Sequence, residues 1–122
     1  MQRHRFLRLV REALEGLPPP FRDRLANVDV VVKRRPGPAD LRTAGLGPGE
    51  SLYGLYHGVP LTERAGDYSM VLPDMITIFQ EPLERDFRDD QDLVEEVRRT
   101  VLHELAHHFG ISDEALEEYG LD

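Results

Sequence analysis

The sequence has no cysteine, no tryptophan and no apolar run long enough to span a membrane. Without cysteine the chain forms neither disulfides nor thiolate metal sites, so histidine and carboxylate side chains must hold any transition metal. The basic N-terminus also lacks the apolar core of a signal peptide. We therefore expect a cytoplasmic protein with no membrane partner, and its 122 residues predict a single domain over residues 1–122 with one core.

The charge is unevenly distributed along the chain. Residues 1–42 contain ten Lys/Arg and five Asp/Glu, a net charge of +5, whereas residues 43–122 contain five and eighteen, a net charge of −13. An acidic surface repels nucleic acid and attracts metal cations and basic peptides. A solvated acidic face that only aids solubility explains the same numbers.

Segment 100–114 contains the pattern His103-Glu104-x-x-His107, known as HExxH. On a helix, residues i and i+4 lie on one face with Cβ atoms roughly 5–6 Å apart, so two imidazoles can bind one zinc ion at about 2.0–2.1 Å. Glu104 points beside this pair and can act as a general base without coordinating the metal. His108 lies about 100° around the helix, and we expect it to pack or to bond a carboxylate. The alternative is a chance HExxH whose histidines are solvated or in the core.

A catalytic zinc normally keeps three protein ligands and one open position. Asp113 falls six residues after His107, beyond a turn at Gly110, which gives the longer pattern HExxHxxGxxD. In metzincins a histidine stands at this place, so Asp113 is the predicted third ligand, with Glu114 and Glu117 as substitutes. The helix dipole alone is a competing explanation for an aspartate in the first turn of a helix.

Hydrophobic periodicity predicts an α+β fold, in which a small mixed sheet packs against an N-terminal helix and a long motif helix, followed by a short C-terminal helix. The predicted helices are 3–16, a short turn within 20–26, a motif helix of about 18–20 residues that ends at Gly110, and a last helix capped by Ser112. The predicted strands are 27–33, 51–57, 68–72 and 75–79.

Several details of these elements are also predicted. The β-branched run in 27–33 favours a position inside the sheet, and Pro82 is expected to end the last strand. Asp92 with Glu95 has the spacing of a capping box at the start of the motif helix. The apolar stripe of the motif helix comprises Leu93, Val97, Val101, Leu102, Leu105 and Phe109, and that of the first helix comprises Phe6, Leu7, Val10, Ala13, Leu14 and Leu17.

One edge strand, 51–57 or 68–72, is expected to border the metal, where a peptide could add to the sheet by main-chain hydrogen bonds. Gly54 inside a strand marks a bulge or a close approach of backbone. The candidate donors to a developing oxyanion are Tyr53, Tyr56, His57 and Tyr68, although each tyrosine is equally explained as a half-buried strand residue.

The chain resembles a small bacterial zincin-like family, the predicted zinc metallopeptidases with a minimal-metalloprotease fold. The resemblance rests on LPPPF (17–21), LYGLYHGVPLTER (52–64), VLPDMITIFQEPL (71–83) and above all HELAHHFGISDE (103–114). It implies a zincin-type α+β fold with His103 and His107 as zinc ligands, Glu104 as catalytic base and Asp113 as third ligand. Unlike metzincins, the chain has no methionine after the motif.

Three functions compete at this point. The first is a zinc-dependent peptidase with a peptide or protein substrate. The second is a metal-dependent RNA hydrolase, because a ribosomal-RNA maturation family shares HxxxHxxGxxH, but that family lacks the glutamate that stands here at Glu104. The third is a zincin scaffold that binds metal or peptide with little turnover.

Overall fold

The computed structural model describes residues 2–47, 52–58, 74–110 and 113–118. The helices are α1 (Arg3–Glu15), α2 (Pro19–Arg24), α3 (Pro38–Thr43), α4 (Gln80–Asp86), α5 (Asp90–Phe109) and α6 (Asp113–Glu118), and the strands are β1 (Val28–Lys33), β2 (Gly54–His57) and β3 (Asp74–Phe79). This order confirms the predicted α+β class. The predicted strand 68–72 and the predicted cap Ser112 lie outside the described residues.

The strands form a mixed sheet in the order β1-β3-β2. β3 runs parallel to β1, with Val30 opposite Ile76, and antiparallel to β2, with Tyr56 opposite Ile76. Among the described strands β1 therefore lies at an edge of the sheet rather than at the predicted interior position, with β3 as its one partner. β1 is buried on one face only: Val32 is in the core, whereas Val31 is 37% exposed. Its β-branched run reflects strand propensity rather than burial on both faces.

The N-terminal cap of α5 lies about one turn before Asp92, the residue that the predicted capping box places there. The side chain of Asp89 accepts hydrogen bonds from the backbone N–H groups of Gln91 and Asp92 at 3.0 and 3.2 Å. The prediction that Asp92 caps the helix is therefore wrong, since Asp92 is its third residue. At the other end Gly110 adopts φ 70° and ψ 26°, which confirms the predicted left-handed cap.

The core lies between α1, α5 and one face of the sheet. Its fully buried members include Phe6, Ala13, Ile76, Ile78, Leu83, Leu93, Val97, Val101, Leu102 and Leu105. The prediction of a core position is wrong for two residues of the apolar stripes, Leu7 and Phe109. Leu7 is 38% exposed, and Leu9 takes its place. Phe109 is 39% exposed and lies under the guanidinium of Arg24, 4.4 Å from its ring centre.

The helix α4 has no counterpart among the predicted elements, because Pro82 indicates only the end of a strand. In the structure β3 ends at Phe79 and Gln80 starts the helix at once. Pro82 is its third residue, where a backbone N–H has no partner within the helix and its loss costs little. The N–H of Glu81 instead donates to the carbonyl of Arg34 at 2.8 Å.

Within the described ranges, every helix is too short or too polar to cross a lipid bilayer.

Candidate metal centre

The two motif histidines lie one turn apart near the C-terminal end of α5. Their ring centres are 6.4 Å apart and the ring planes are inclined by 37°. His103 is half-buried and His107 is exposed. Two imidazoles on one tetrahedral zinc ion have ring centres about 5 Å apart, so the rings must approach each other to share a metal. The exposed ring of His107 can make that movement without disturbing the core.

The described residues provide two histidines of the donor set rather than a complete site. No group of three or more His, Asp or Glu side chains is arranged to hold a metal ion among the residues that the structure describes. α6 starts at Asp113, three positions along the chain from the left-handed cap at Gly110. The structure does not describe the Asp113 side chain, and Glu114 and Glu117 are exposed. Asp113 as third ligand stays a prediction, and imidazole with carboxylate is a donor set that fits zinc.

Glu104 is half-buried on α5, next to His103 in the chain. Its Oε2 atom accepts a hydrogen bond from the backbone N–H of Tyr56 on β2 at 3.3 Å. Burial raises the pKa of the carboxyl, and this effect exceeds the opposing effects of the Tyr56 hydrogen bond and of the charge on His107. Since a carboxylate with a raised pKa accepts a proton more readily, the position suits a general base.

β2 reaches Glu104 because a glycine stands where the strand meets the helix. A Cβ atom on Gly54 would lie 2.6 Å from Cγ2 of Thr100 and 3.3 Å from the carbonyl oxygen of Thr77. This confirms the close approach that Gly54 predicted. It also places β2 beside the part of α5 that carries Glu104, and a metal at this border stays a prediction.

Beyond Glu104, the end of α5 is joined to the sheet by a cluster of Tyr56, Asp74 and His108. The ring of His108 stacks on that of Tyr56, with centres 4.0 Å apart and planes inclined by 20°. The Tyr56 hydroxyl donates to Oδ2 of Asp74 at 2.6 Å, and Nε2 of His108 lies 3.5 Å from the same oxygen. His108 thus packs beside a carboxylate, as expected. Sequence reasoning missed Asp74 because its role depends on the pairing of β2 with β3.

Two of the four candidate oxyanion donors, Tyr53 and Tyr56, donate hydrogen bonds to carboxylates. The Tyr53 hydroxyl donates to Asp86 at 2.5 Å, and this bond raises the pKa of Tyr53 to about 12. The Tyr56 hydroxyl donates to Asp74. His57 is half-buried on β2, and Tyr68 lies outside the described residues. Both described tyrosine hydroxyls therefore donate to carboxylates within the protein.

Comparison with known proteins gives the class of this chain. The sequence profile of the zincin-like metallopeptidases matches residues 25–121, and the chain belongs to that family. This confirms the predicted resemblance. A comparison with curated proteins finds no match.

A similar fold occurs among solved structures. One such structure is a conserved hypothetical protein from Thermus thermophilus, with 24% sequence identity and a TM-score of 0.56, over 89% of this chain and 94% of that chain. At this identity the likeness concerns the fold alone.

Proposed function

We propose that this protein is a zinc-dependent peptidase, in which His103, His107 and Asp113 bind zinc and Glu104 is the general base. The observation that supports this most directly is the position of Glu104. Its carboxylate is half-buried on the helix that carries the paired imidazoles, and a backbone N–H fixes one of its oxygens.

Zinc, when bound, would polarise the scissile carbonyl and make an attacking water more acidic. Glu104 takes one proton from that water through a carboxylate oxygen as the new C–O bond forms. It then delivers the proton to the leaving nitrogen as the C–N bond breaks, so each turnover consumes one water and yields an amine and a carboxylic acid. The raised pKa of Glu104 favours the first of these transfers, in which the carboxylate accepts a proton.

The charge distribution supports a peptide or protein substrate. Residues 43–122, which include the motif, carry a net charge of −13. This field attracts basic segments and disfavours the phosphate backbone of RNA. Cleavage of ribosomal RNA that a chelator abolishes would contradict this part of the proposal.

The test is cleavage of a mixed peptide library by the purified protein with zinc added, followed by the same assay after chelation. We expect Glu104→Gln to retain zinc and to lose turnover by about 100-fold or more, as expected for loss of a general base. Glu95→Gln, which changes an exposed glutamate on the same helix, is the matched control. Full activity of Glu104→Gln would contradict the assigned role.

A second candidate is a metal- or peptide-binding protein with little turnover. The observation that favours it is that the hydroxyls of Tyr53 and Tyr56, two of the candidate oxyanion donors, donate to Asp86 and Asp74 instead. This second function predicts that calorimetry detects stoichiometric zinc binding and that His107→Ala abolishes it. It also predicts that the zinc-loaded protein does not cleave the peptide library.

A further inference from the structure

Three residues at β2 lie opposite three residues of α5, in the same order along both elements. Gly54 is opposite Thr100, the N–H of Tyr56 bonds Glu104, and Gly58 is opposite His108. A Cβ atom on Gly58 would lie 2.6 Å from Cε1 of His108. The three helix residues are spaced by four, so they form one row along one face of α5.

The spacing of these residues lets the two elements run side by side. Two residues of a strand advance about 6.6 Å, and four residues of a helix advance about 6.0 Å. The contacts at Gly54, Tyr56 and Gly58 therefore recur at nearly the same interval on both elements. A displacement of β2 at either glycine must also displace the N–H of Tyr56 between them.

Space, rather than backbone conformation, favours glycine at both positions. Among the described glycines, Gly45 and Gly110 have positive φ, and Gly54 and Gly58 do not. A side chain at 54 would meet the β-branched Thr100 and the sheet backbone, neither of which can move aside easily. A side chain at 58 would meet the ring of His108, which can move if it gives up its stacking on Tyr56.

We propose that Gly54 and Gly58 are positioning residues for the general base. They set the distance between β2 and α5 at which the N–H of Tyr56 holds the carboxylate of Glu104. The catalytic consequence rests on the proposed peptidase function, whereas the positioning itself concerns this chain alone.

The first measurement is hydrogen exchange of the Tyr56 amide, followed by NMR on the protein without metal. Glu104→Ala removes the acceptor and is expected to speed exchange at Tyr56 at least tenfold. Gly54→Ala is expected to do the same. The amide of Phe79, which donates to the carbonyl of Tyr53 at 2.9 Å, reports whether β2 still pairs with β3 and is expected to stay protected.

A matched control variant and a rescue variant distinguish the contact at position 54 from the general effects of replacing glycine by alanine. Gly37 has φ −87°, and a Cβ atom there would meet its nearest neighbour at 3.7 Å, so Gly37→Ala is expected to leave the Tyr56 amide unchanged. Thr100→Ser deletes the Cγ2 methyl that a side chain at 54 would meet. In the Gly54→Ala background, it is expected to restore most of the protection of Tyr56.

The second measurement is the kinetics of peptide cleavage by the zinc-loaded protein. Misplacing the base removes an interaction made in the transition state, so Gly54→Ala is expected to lower kcat at least tenfold with little change in KM. Thr100→Ser is expected to recover part of that loss. Zinc content is expected to equal that of the wild type, which a general loss of structure would not preserve.

The proposal is overturned if folded Gly54→Ala keeps a protected Tyr56 amide, or if Thr100→Ser rescues neither exchange nor kcat. If Gly54→Ala does not fold, Gly58→Ala is the second variant, because its neighbour is a movable ring. It is expected to give a smaller change of the same sign, and unchanged exchange there also overturns the proposal. A wild-type protein that cleaves nothing contradicts the proposed function instead, and the exchange results still decide the positioning.

Discussion

α5 contacts two neighbours in different ways. Towards α1 it packs apolar side chains against apolar side chains, including Phe6, Val10 and Ala13 of α1. Towards β2 it approaches the backbone closely at Gly54 and Gly58, which provide no side chain to separate the two elements there. The contact with α1 provides burial and so stability, whereas the contact with β2 controls the position of Glu104. Substitutions on the two sides should therefore affect different properties.

The largest effect is expected on the α1 side. Phe6 is 0% exposed, and Phe6→Ala removes a full aromatic ring from the core. We expect the free energy of unfolding, measured in urea, to fall by about 3–5 kcal/mol. Leu7→Ala, one residue further along, changes an exposed side chain and is expected to cost about 0.5 kcal/mol or less. Equal losses in the two variants would contradict the assignment of the core.

The next effect concerns the start of α5, on which both contacts depend. Asp89→Ala removes the acceptor of the Gln91 and Asp92 N–H bonds and is expected to cost about 1 kcal/mol. Asp92→Ala removes only a favourable charge near the helix start, worth about 0.3–1 kcal/mol, and is the matched control. A larger loss in Asp92→Ala would restore Asp92 as the cap.

A third substitution tests the β2 side without touching either glycine. Tyr56→Phe removes the hydroxyl that bonds the poorly exposed Asp74, and we expect a loss of about 0.5–1.5 kcal/mol in thermal or urea unfolding. Tyr53→Phe removes a similar bond to the more exposed Asp86 and is expected to cost less. The reverse order would mean that the Tyr56 cluster contributes little to holding β2 on α5.

The smallest effect is a gain in stability. Because burial raises the pKa of Glu104 in the folded protein, folding loses stability as pH rises through the pKa of an unfolded glutamate, about 4.3. Glu104→Gln should therefore raise the thermal midpoint of the metal-free protein at pH 7. The difference should vanish below about pH 4, where both side chains are neutral. Glu95→Gln, exposed on the same helix, should show neither change, and a lower midpoint for Glu104→Gln at pH 7 would refute this account.

The parts of the fold that the sequence predicts well depend on local chemistry. The motif helix, its end at Gly110 and the spacing of His103 and His107 all follow from periodicity within one element. The start of α5 is harder to predict because Asp89 and Asp92 are both good caps. The choice depends on where the backbone leaves the helical conformation, and side-chain preference alone does not determine that point.

The predictions that failed concern residues whose positions depend on contacts between segments distant in the chain. Phe109 continues the apolar stripe of α5, yet it is 39% exposed and lies under Arg24. Val31 has strand propensity, yet it lies on the open face of β1. Asp74 and Gly58 belong to the site surroundings only because β2, β3 and α5 meet there. The one sign in the sequence that these three elements come together is Gly54, a glycine within a predicted strand.

The near match between the strand interval and the helix interval keeps contacts aligned only over a short length. Each step along the paired rows adds a mismatch of about 0.6 Å, from 6.6 Å on the strand and 6.0 Å on the helix. After three or four steps the rows are out of phase by about 2 Å, which is most of a hydrogen-bond length. The contacts at Gly54, Tyr56 and Gly58 span two steps, a mismatch of about 1.2 Å. Lengthening the paired rows by one or two further steps would therefore reach the point at which strand and helix contacts no longer align.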